Sequence, residues 1–250
     1  RQARRTWRWS YRCWWNRTPI STSPTGSWWS IVRKRCRSNA PCAEAALRAA
    51  FGKAGKISRR VIVEQQVPGS DHRILVVGGK VVAVAERVPA QVVGDGLHSI
   101  AALIEAVNSD PRRGTGHENV LTRIVPDHAM SDLLGKSGLT LESVPRAGQA
   151  VRLRDTANLS TGGTAVDRTD EIHPFNATVA MQAAAVVGLD VCGIDFLSPD
   201  ITRAVSETGG GIVEVNAAPG FRMHLEPSVG QPRDVAGPVI DMLFPRGRRS

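Results

Sequence analysis

Residues 1–43 contain no aspartate or glutamate, and residues 44–250 contain no tryptophan or tyrosine. These two absences locate the chain's charge. Its net charge is +9, but ten Lys/Arg lie in residues 1–43, which leaves 22 basic against 23 acidic residues in the remainder. The body of the chain therefore gives no electrostatic reason to expect a nucleic acid or other polyanion as partner. No apolar run approaches the roughly 18–20 residues that a membrane-spanning helix needs, so no membrane partner is expected. With 42% hydrophobic content, 250 residues read as a soluble globular chain of one large domain or two small ones. Cysteine is scarce too: Cys13, Cys36 and Cys42 show no CxxC spacing and no neighbouring His, which argues against zinc or a redox pair. Cys192 reads as a small core residue, and a reducing cytoplasm is the default compartment. No internal repeat is evident.

Residues 1–43 hold all six Trp, the only Tyr and three of the four Cys, without sustained helical or strand periodicity and without the apolar core of a signal peptide. Three readings stand open. A basic-aromatic arm would stack on and neutralise single-stranded nucleic acid, which would make the protein a nucleic-acid-binding module. A disordered leader is the second. The third, placed first, is a slipped reading frame: Val-Val codons GTG-GTG read one base later give TGG-TGG, and Trp14-Trp15 and Trp28-Trp29 fit that origin. The parent DNA, read in its other frames, decides this.

From Ala43 the composition becomes ordinary. Ala45 to Phe51 reads as helix, and Gly52 to Lys56 as its end with solvated lysines, since the spacing is wrong for a phosphate loop. Arg60 to Val67 reads as a strand ended by Pro68-Gly69. The runs Arg73 to Val77 and Lys80 to Arg87 flank Gly78-Gly79, a hairpin signal because both positions of a type I′ turn need positive φ. Ser99 can cap a helix with Ile100, Leu103, Ile104 and Val107 on one face. Asn108 to Gly116 is a basic loop, either a solvated connector or one whose Arg112 and Arg113 clamp a carboxylate or phosphate. Residues 127–144 look helical with a break at Gly138, and Val151 to Arg154 like a short strand. In the polar loop ANLSTGGTAVDRTDEIHP, small hydroxyls beside paired glycines would let backbone N–H groups approach an anion. Pro174 and Gly188 bracket a helix with Val179, Ala183, Val186 and Val187 inward, and a last helix spans about Asp234 to Leu243.

The stretch VCGIDFLSPDITRAVSETGGGIVEVNAAPG, residues 191–220, places oxygen-bearing side chains inside two apolar strands, Val191 to Leu197 and Gly211 to Asn216. Glu214 and Asn216 share a strand face, and Asp195 joins them if the strands are neighbours. Buried carboxylates need a compensating cation or donors, and an all-oxygen set with few carboxylates suits Mg2+ that also touches nucleotide phosphates. The pattern alone is equally that of surface carboxylates on edge strands.

Together these elements predict a mixed α+β domain. Its words VIVEQQVPGSDHRILVVGGKVVA, VCGIDF and EVNAAPGFRMH resemble the ATP-grasp ligases. DPRRGTGHENVLT, ANLSTGGTAVDRTDEIHP and EVNAAPGFRMHLEPSVGQPRDVAGPVIDMLFP narrow the resemblance to the cyanophycin synthetases, almost unbroken from about Arg60 to Pro245. The resemblance implies an ATP-grasp fold, mainly its C-terminal lobe, an antiparallel sheet with packed helices. It implies ATP and Mg2+ as cofactors, with Glu64 at the adenine, Val67 beside it and Asp71 on the ribose hydroxyls. Asp195, Glu214 and Asn216 match the metal set. Ser160, Thr161, Gly162 and Gly163 would border the acceptor and the transferred phosphate, with Ser160 and Arg222 as catalytic candidates and Arg112 and Arg113 on the substrate side. The implied reaction adds L-aspartate to the C-terminal carboxylate of a poly-aspartate/arginine primer through an acyl phosphate. A Mur-ligase-like domain that adds arginine would be a further partner, in a homo-oligomeric full-length enzyme.

The chain departs from the pattern at both ends. An ATP-grasp fold needs a preceding lobe with a phosphate-touching Lys and a mobile glycine-rich loop, which residues 1–43 do not supply, and no arginine-adding domain follows Pro245. The expected organisation is an anomalous segment 1–43, an incomplete ATP-grasp domain 44–245 and a linker stub 246–250. Very low ATP turnover is expected of such a fragment. The competing enzyme reading is the ATP-grasp domain of a bifunctional glutathione synthetase, which shares the N-x-S-T-G-G loop and the metal set.

Overall fold

The structure, a computed structural model, describes residues 29–30, 41–58, 60–62, 67, 69–115 and 119–245. The chain divides into two compact units, with the break after Pro68. In the first, β1 (Trp29–Ser30) pairs in parallel with β2 (Val61–Ile62), and α1 (Pro41–Gly55) lies between them in sequence. Lys53 and Lys56 are exposed at the end of α1, as the sequence predicts. Most of the strand predicted over Arg60 to Val67, with Glu64, lies outside the described residues; Val67 is half-buried.

The second unit is built on β3 (Ser70–Val77) and β4 (Lys80–Val88). They form the predicted hairpin, with Gly78 at φ 54° and Gly79 at φ 74°. These are the positive φ values that a type I′ turn demands and a Cβ disfavours. Next come β5 (Gln91–Val93), α2 (Ile100–Asn108), β6 (Arg113–Gly114), β7 (Leu121–Thr122), α3 (His128–Gly135) and β8 (Ala150–Arg152). After them lie β9 (Thr164–Asp167), α4 (Pro174–Val187), β10 (Val191–Ser198), α5 (Val205–Thr208), β11 (Gly211–Asn216), α6 (Arg222–Leu225) and α7 (Ala236–Leu243). Five strands make one antiparallel sheet in the order β11-β10-β3-β4-β9.

One face of this sheet is mainly hydrocarbon, with His72, Glu86 and Ser198 as polar exceptions at one end. Ile74, Val76, Val84, Cys192, Ile194 and Phe196 are buried there against Ala180 and Ala184 of α4. The helix starts at Pro174, whose missing N–H costs nothing in a first turn, and ends at Gly188 in the left-handed region. Its inward face differs from the predicted one. Ala180 and Ala184 are buried, Val179 and Ala183 pack at the margin, Val187 is half-buried, and Val186 points to solvent at 73% exposure. Alanines let the helix approach the sheet closely, and the bulkier Val186 falls on the opposite side of the turn.

The opposite sheet face is apolar only at one end, where Leu75, Val77 and Ala83 meet Val235 and, at the margin, Val239 and Met242. A separate small core, with Ala90, Val92, Ile100, Ile104, Ile124, Met130, Leu134, Val151 and Leu153, is formed around α2 and α3. Ser99 caps α2 through Ala102 N, as predicted. Helix α3 is shorter than the predicted 127–144. It stops at Gly135, and residues 139–144 form turns held by Thr140 and Ser143. The polar loop 157–174 contains an unpredicted strand, β9, at the sheet edge.

Candidate active site

The charged end of the second sheet face is assembled from adjacent strands. The register sets Asp195 of β10 opposite Glu214 of β11 on one side and Arg73 of β3 on the other, while Asp71 of β3 opposes Arg87 of β4. Directly opposed residues share a face, so all five side chains project the same way. Arg73 Nε lies 2.6 Å from Asp195 Oδ1, and Arg87 Nη2 lies 3.0 Å from Asp195 Oδ2 and 2.6 Å from Asp71 Oδ1. Asn216, opposite Gly193, donates from Nδ2 to the Gly193 carbonyl at 3.4 Å and to Asp195 Oδ1 at 3.5 Å.

Three carboxylates, Asp71, Asp195 and Glu214, thus face two guanidinium groups, Arg73 and Arg87. The excess is one negative charge. Burial, then the charge of Asp195, pushes the Glu214 carboxyl up. Asp71 is also raised, by burial first, with Arg87 opposing. Arg87 is held above its ordinary value by Asp195 and Asp71, although burial is the largest single influence and acts the other way. The site carries unrelieved like-charge repulsion.

That chemistry fits a hard divalent cation. The donors converging on this point are oxygens, two carboxylates and one amide, and a cation would neutralise the surplus charge. Among the described residues no three His, Cys, Asp or Glu side chains form a metal-binding group, so Asn216 and water would have to complete a coordination shell.

The predicted substrate residues are placed less uniformly. In the loop 158–163 the Thr161, Gly162 and Gly163 N–H groups donate to the Asn158, Leu159 and Asn158 carbonyls, all at 3.1 Å. The anion-facing N–H groups expected there are spent within the turn in this conformation. Both glycines are instead required by close approach: a Cβ on Gly162 would meet Ile124 at 2.6 Å, and one on Gly163 the Asn158 and Val88 carbonyl oxygens at 2.8 and 2.9 Å. Ser160 is exposed, and the Thr161 hydroxyl donates to Asn158 O. Arg113 is buried and donates to the Thr122 and Gly162 carbonyls at 2.6 and 3.1 Å, so it holds the glycine loop in place. Arg112 is exposed and paired with Asp110 at 2.8 Å, beside a shallow, open cavity of about 530 Å³. Arg222 donates from Nη1 to the Asn119 carbonyl at 2.6 Å.

Residue-by-residue reading of the sequence misses His224, within the quoted word GFRMH. It is 2% exposed, and neither ring nitrogen has a hydrogen-bond partner. Burial, then the Arg73 charge, push its imidazole down to about 4, so it is neutral at pH 7. The segment that carries it is fastened to β9: Arg233 N donates to His224 O at 2.9 Å, and Arg233 Nη2 reaches Asp167 at 2.6 Å and Asp170 at 2.5 Å.

No family model matches the chain. Individual proteins do: the cyanophycin synthetase of Trichormus variabilis is 59% identical over 197 residues, covering 79% of this chain and 22% of that protein. This chain is a relative of the cyanophycin synthetases. That of Synechocystis sp. is 56% identical over 193 residues, 77% of this chain and 22% of the relative, so the chain spans about a fifth of the length of these curated relatives. A glutathione biosynthesis bifunctional protein of Enterococcus faecalis is 39% identical over 202 residues, 80% of this chain and 26% of its own. Among solved structures, a bifunctional glutathione synthetase from Pasteurella multocida superposes with a TM-score of 0.65 at 38% identity, over 79% of this chain and 27% of that one. The expected α+β fold of the ATP-grasp class is borne out. The glutathione relatives share the fold at lower identity.

Proposed function

We propose that the chain carries the nucleotide and metal side of an ATP-dependent carboxylate–amine ligase, adding L-aspartate to the C-terminal carboxylate of a poly-aspartate/arginine primer. The observation that carries this reading is the in-register facing of Asp195 and Glu214, with Asn216 two residues on, in a chain 59% identical over 197 residues to a cyanophycin synthetase. Bound MgATP would supply the phosphoryl donor and neutralise the charge that develops on its oxygens. Asp195, Glu214 and Asn216 would hold the cation, and Asp71, oriented by Arg87, would meet the nucleotide sugar. Ser160 presents its hydroxyl at the mouth of a loop that Arg113 keeps rigid, and Arg222 and Arg112 offer positive charge to a carboxylate or phosphate. No side-chain nucleophile is needed; positioning and charge neutralisation account for the rate. In the whole enzyme a Mur-ligase-like domain, a homo-oligomeric assembly and a cytoplasmic setting complete this reading. Among the described residues no helix is long and apolar enough to cross a membrane.

The test is a chimera in which residues 69–245 replace the matching segment of the Trichormus variabilis synthetase. ADP release that depends on aspartate and primer is expected. Release that depends instead on the substrates of glutathione synthesis, or none from a folded chimera, overturns the reading.

A further inference from the structure

In a regular strand Ile212 would share a face with Glu214 and Asn216, and Val213 with Val215. β11 does not keep that alternation. From Asn216 to Glu214 it pairs with β10 in one register, which sets Glu214 opposite Asp195; the register then shifts by one, so that Ile212 opposes Phe196 and Val213 is left out of the ladder. This is a β-bulge. Ile212 and Val215 both pack against the hydrocarbon cluster, while Val213 is 59% exposed. The strand gives up one ladder position and one inward valine at the step beside the Asp195 and Glu214 pair. A ladder without the bulge is open to the same sequence: Val213 would then face Phe196 from the apolar side, and Glu214 would still oppose Asp195. Opposition of the two acids therefore does not account for the extra residue. The glycine run holds the bulged register at its far end, where Gly211 opposes Leu197 and a Cβ on Gly210 would run into the Leu197 carbonyl and stand 2.6 Å from Val205 Cγ2. A slip that closed the bulge would lose this fit and bring Ile212 opposite Leu197, onto the charged face.

What a bulge changes is direction: the strand that carries it bends and twists more strongly at the extra residue. Directly opposed side chains leave a sheet roughly in parallel, from Cβ atoms about 4.5–5.5 Å apart. Glutamate is one methylene longer than aspartate, so on a flat ladder the Glu214 carboxylate would stand above that of Asp195. A hard divalent cation such as Mg2+ holds its oxygens at about 2.0–2.1 Å, which lets two of them lie no more than about 4.2 Å apart. We propose that the bulge at Val213 tilts Glu214 so that its carboxylate comes level with that of Asp195. Val213 is thus a positioning residue that acts through Glu214. This deepens the cation site proposed above and rests on it. The contribution lies in the extra backbone unit, since the valine side chain is largely exposed.

The test is calorimetric titration of Mn2+ into the full 250-residue chain, without nucleotide. Deletion of Val213 leaves Phe196 opposite Ile212 and Asp195 opposite Glu214, and removes only the bend. It should weaken binding about tenfold, as changes that reorient a metal ligand do. Glu214→Asp should weaken binding in the wild-type chain but recover most of the loss in the deletion background, where two aspartates on a regular ladder stand at equal height. Val213→Gly, a milder change should the deletion fail to fold, loosens the bulge and should bind about threefold more weakly. Unchanged binding by the folded deletion variant, or by Val213→Gly where the deletion does not fold, overturns the proposal. So does a Glu214→Asp effect of equal size in both backgrounds, the mark of a merely structural role for the bulge. Wild-type binding that Asp195→Asn does not alter, or no binding by the wild-type chain, overturns the cation site itself and this proposal with it.

Discussion

The two faces of β10 are made by alternate residues of one strand and serve opposite ends. Cys192, Ile194 and Phe196 point to α4 and are fully buried in hydrocarbon, while Gly193 and Asp195 point to a face where Asp71, Arg73, Arg87 and Glu214 converge. Both faces share the same backbone ladder. The apolar face gains from area removed from water, with no directional demand beyond packing. The charged face gains little, since its ion pairs are taken partly out of water and its acids outnumber its bases. A sheet anchored on one side can hold, on the other, a cluster whose charges are not balanced.

Substitutions can break this contrast. Phe196→Ala, on the apolar face, should cost about 3–5 kcal/mol through lost transfer energy and a cavity, read as a lower denaturant midpoint. Acid should act through the charged face. His224 has a folded value depressed to about 4, below its ordinary one, so its neutral form contributes stability that is present above about pH 6.5 and lost as pH falls through 4. The span corresponds to on the order of 3 kcal/mol, and His224→Phe should flatten that part of a stability-against-pH profile. Glu214 is shifted the other way: a raised carboxyl costs stability once it ionises, at neutral pH, and the cost disappears at low pH. Glu214→Gln should therefore raise the melting midpoint at pH 7 slightly, by roughly 0.2–1 kcal/mol for a like-charge cross-strand neighbour, and not at pH 4. At the bottom of the scale, Val186→Lys on the solvent side of α4 should stay within about 0.5 kcal/mol of wild type, a check that the predicted inward face was misplaced.

What the sequence reveals follows the range of the interaction. Gly78-Gly79, Ser99, and the Pro174 and Gly188 pair are local signals, and the structure places turn, cap and helix ends there. The acid-bearing strands are legible because Asp195 and Glu214 interrupt apolar runs, although the pattern does not tell a site from exposed edges. β9 is hidden because it is only four residues long, pairs with β4 on one side and through a single bridge with Val229 on the other, and bears Asp167, which serves Arg233 rather than a core. Arg113 looks like a ligand clamp in sequence and is a brace for Gly162, 49 residues away. The helix predicted over 127–144 overruns because turns at 139–144 carry apolar residues such as Leu139 and Leu141 for the small core, which imitate a helical face. His224 could have been found by one signal, an imidazole in an otherwise apolar and cationic word, but its burial depends on the fold.

The central claim is that the charged face of β10 and β11 seats a divalent cation. Water-proton relaxation of Mn2+ titrated into the full chain tests it most directly. The account predicts enhanced relaxation from a site that is lost in both Asp195→Asn and Glu214→Gln while the fold is retained; enhancement that survives both substitutions, or its absence from the folded wild-type chain, would contradict it.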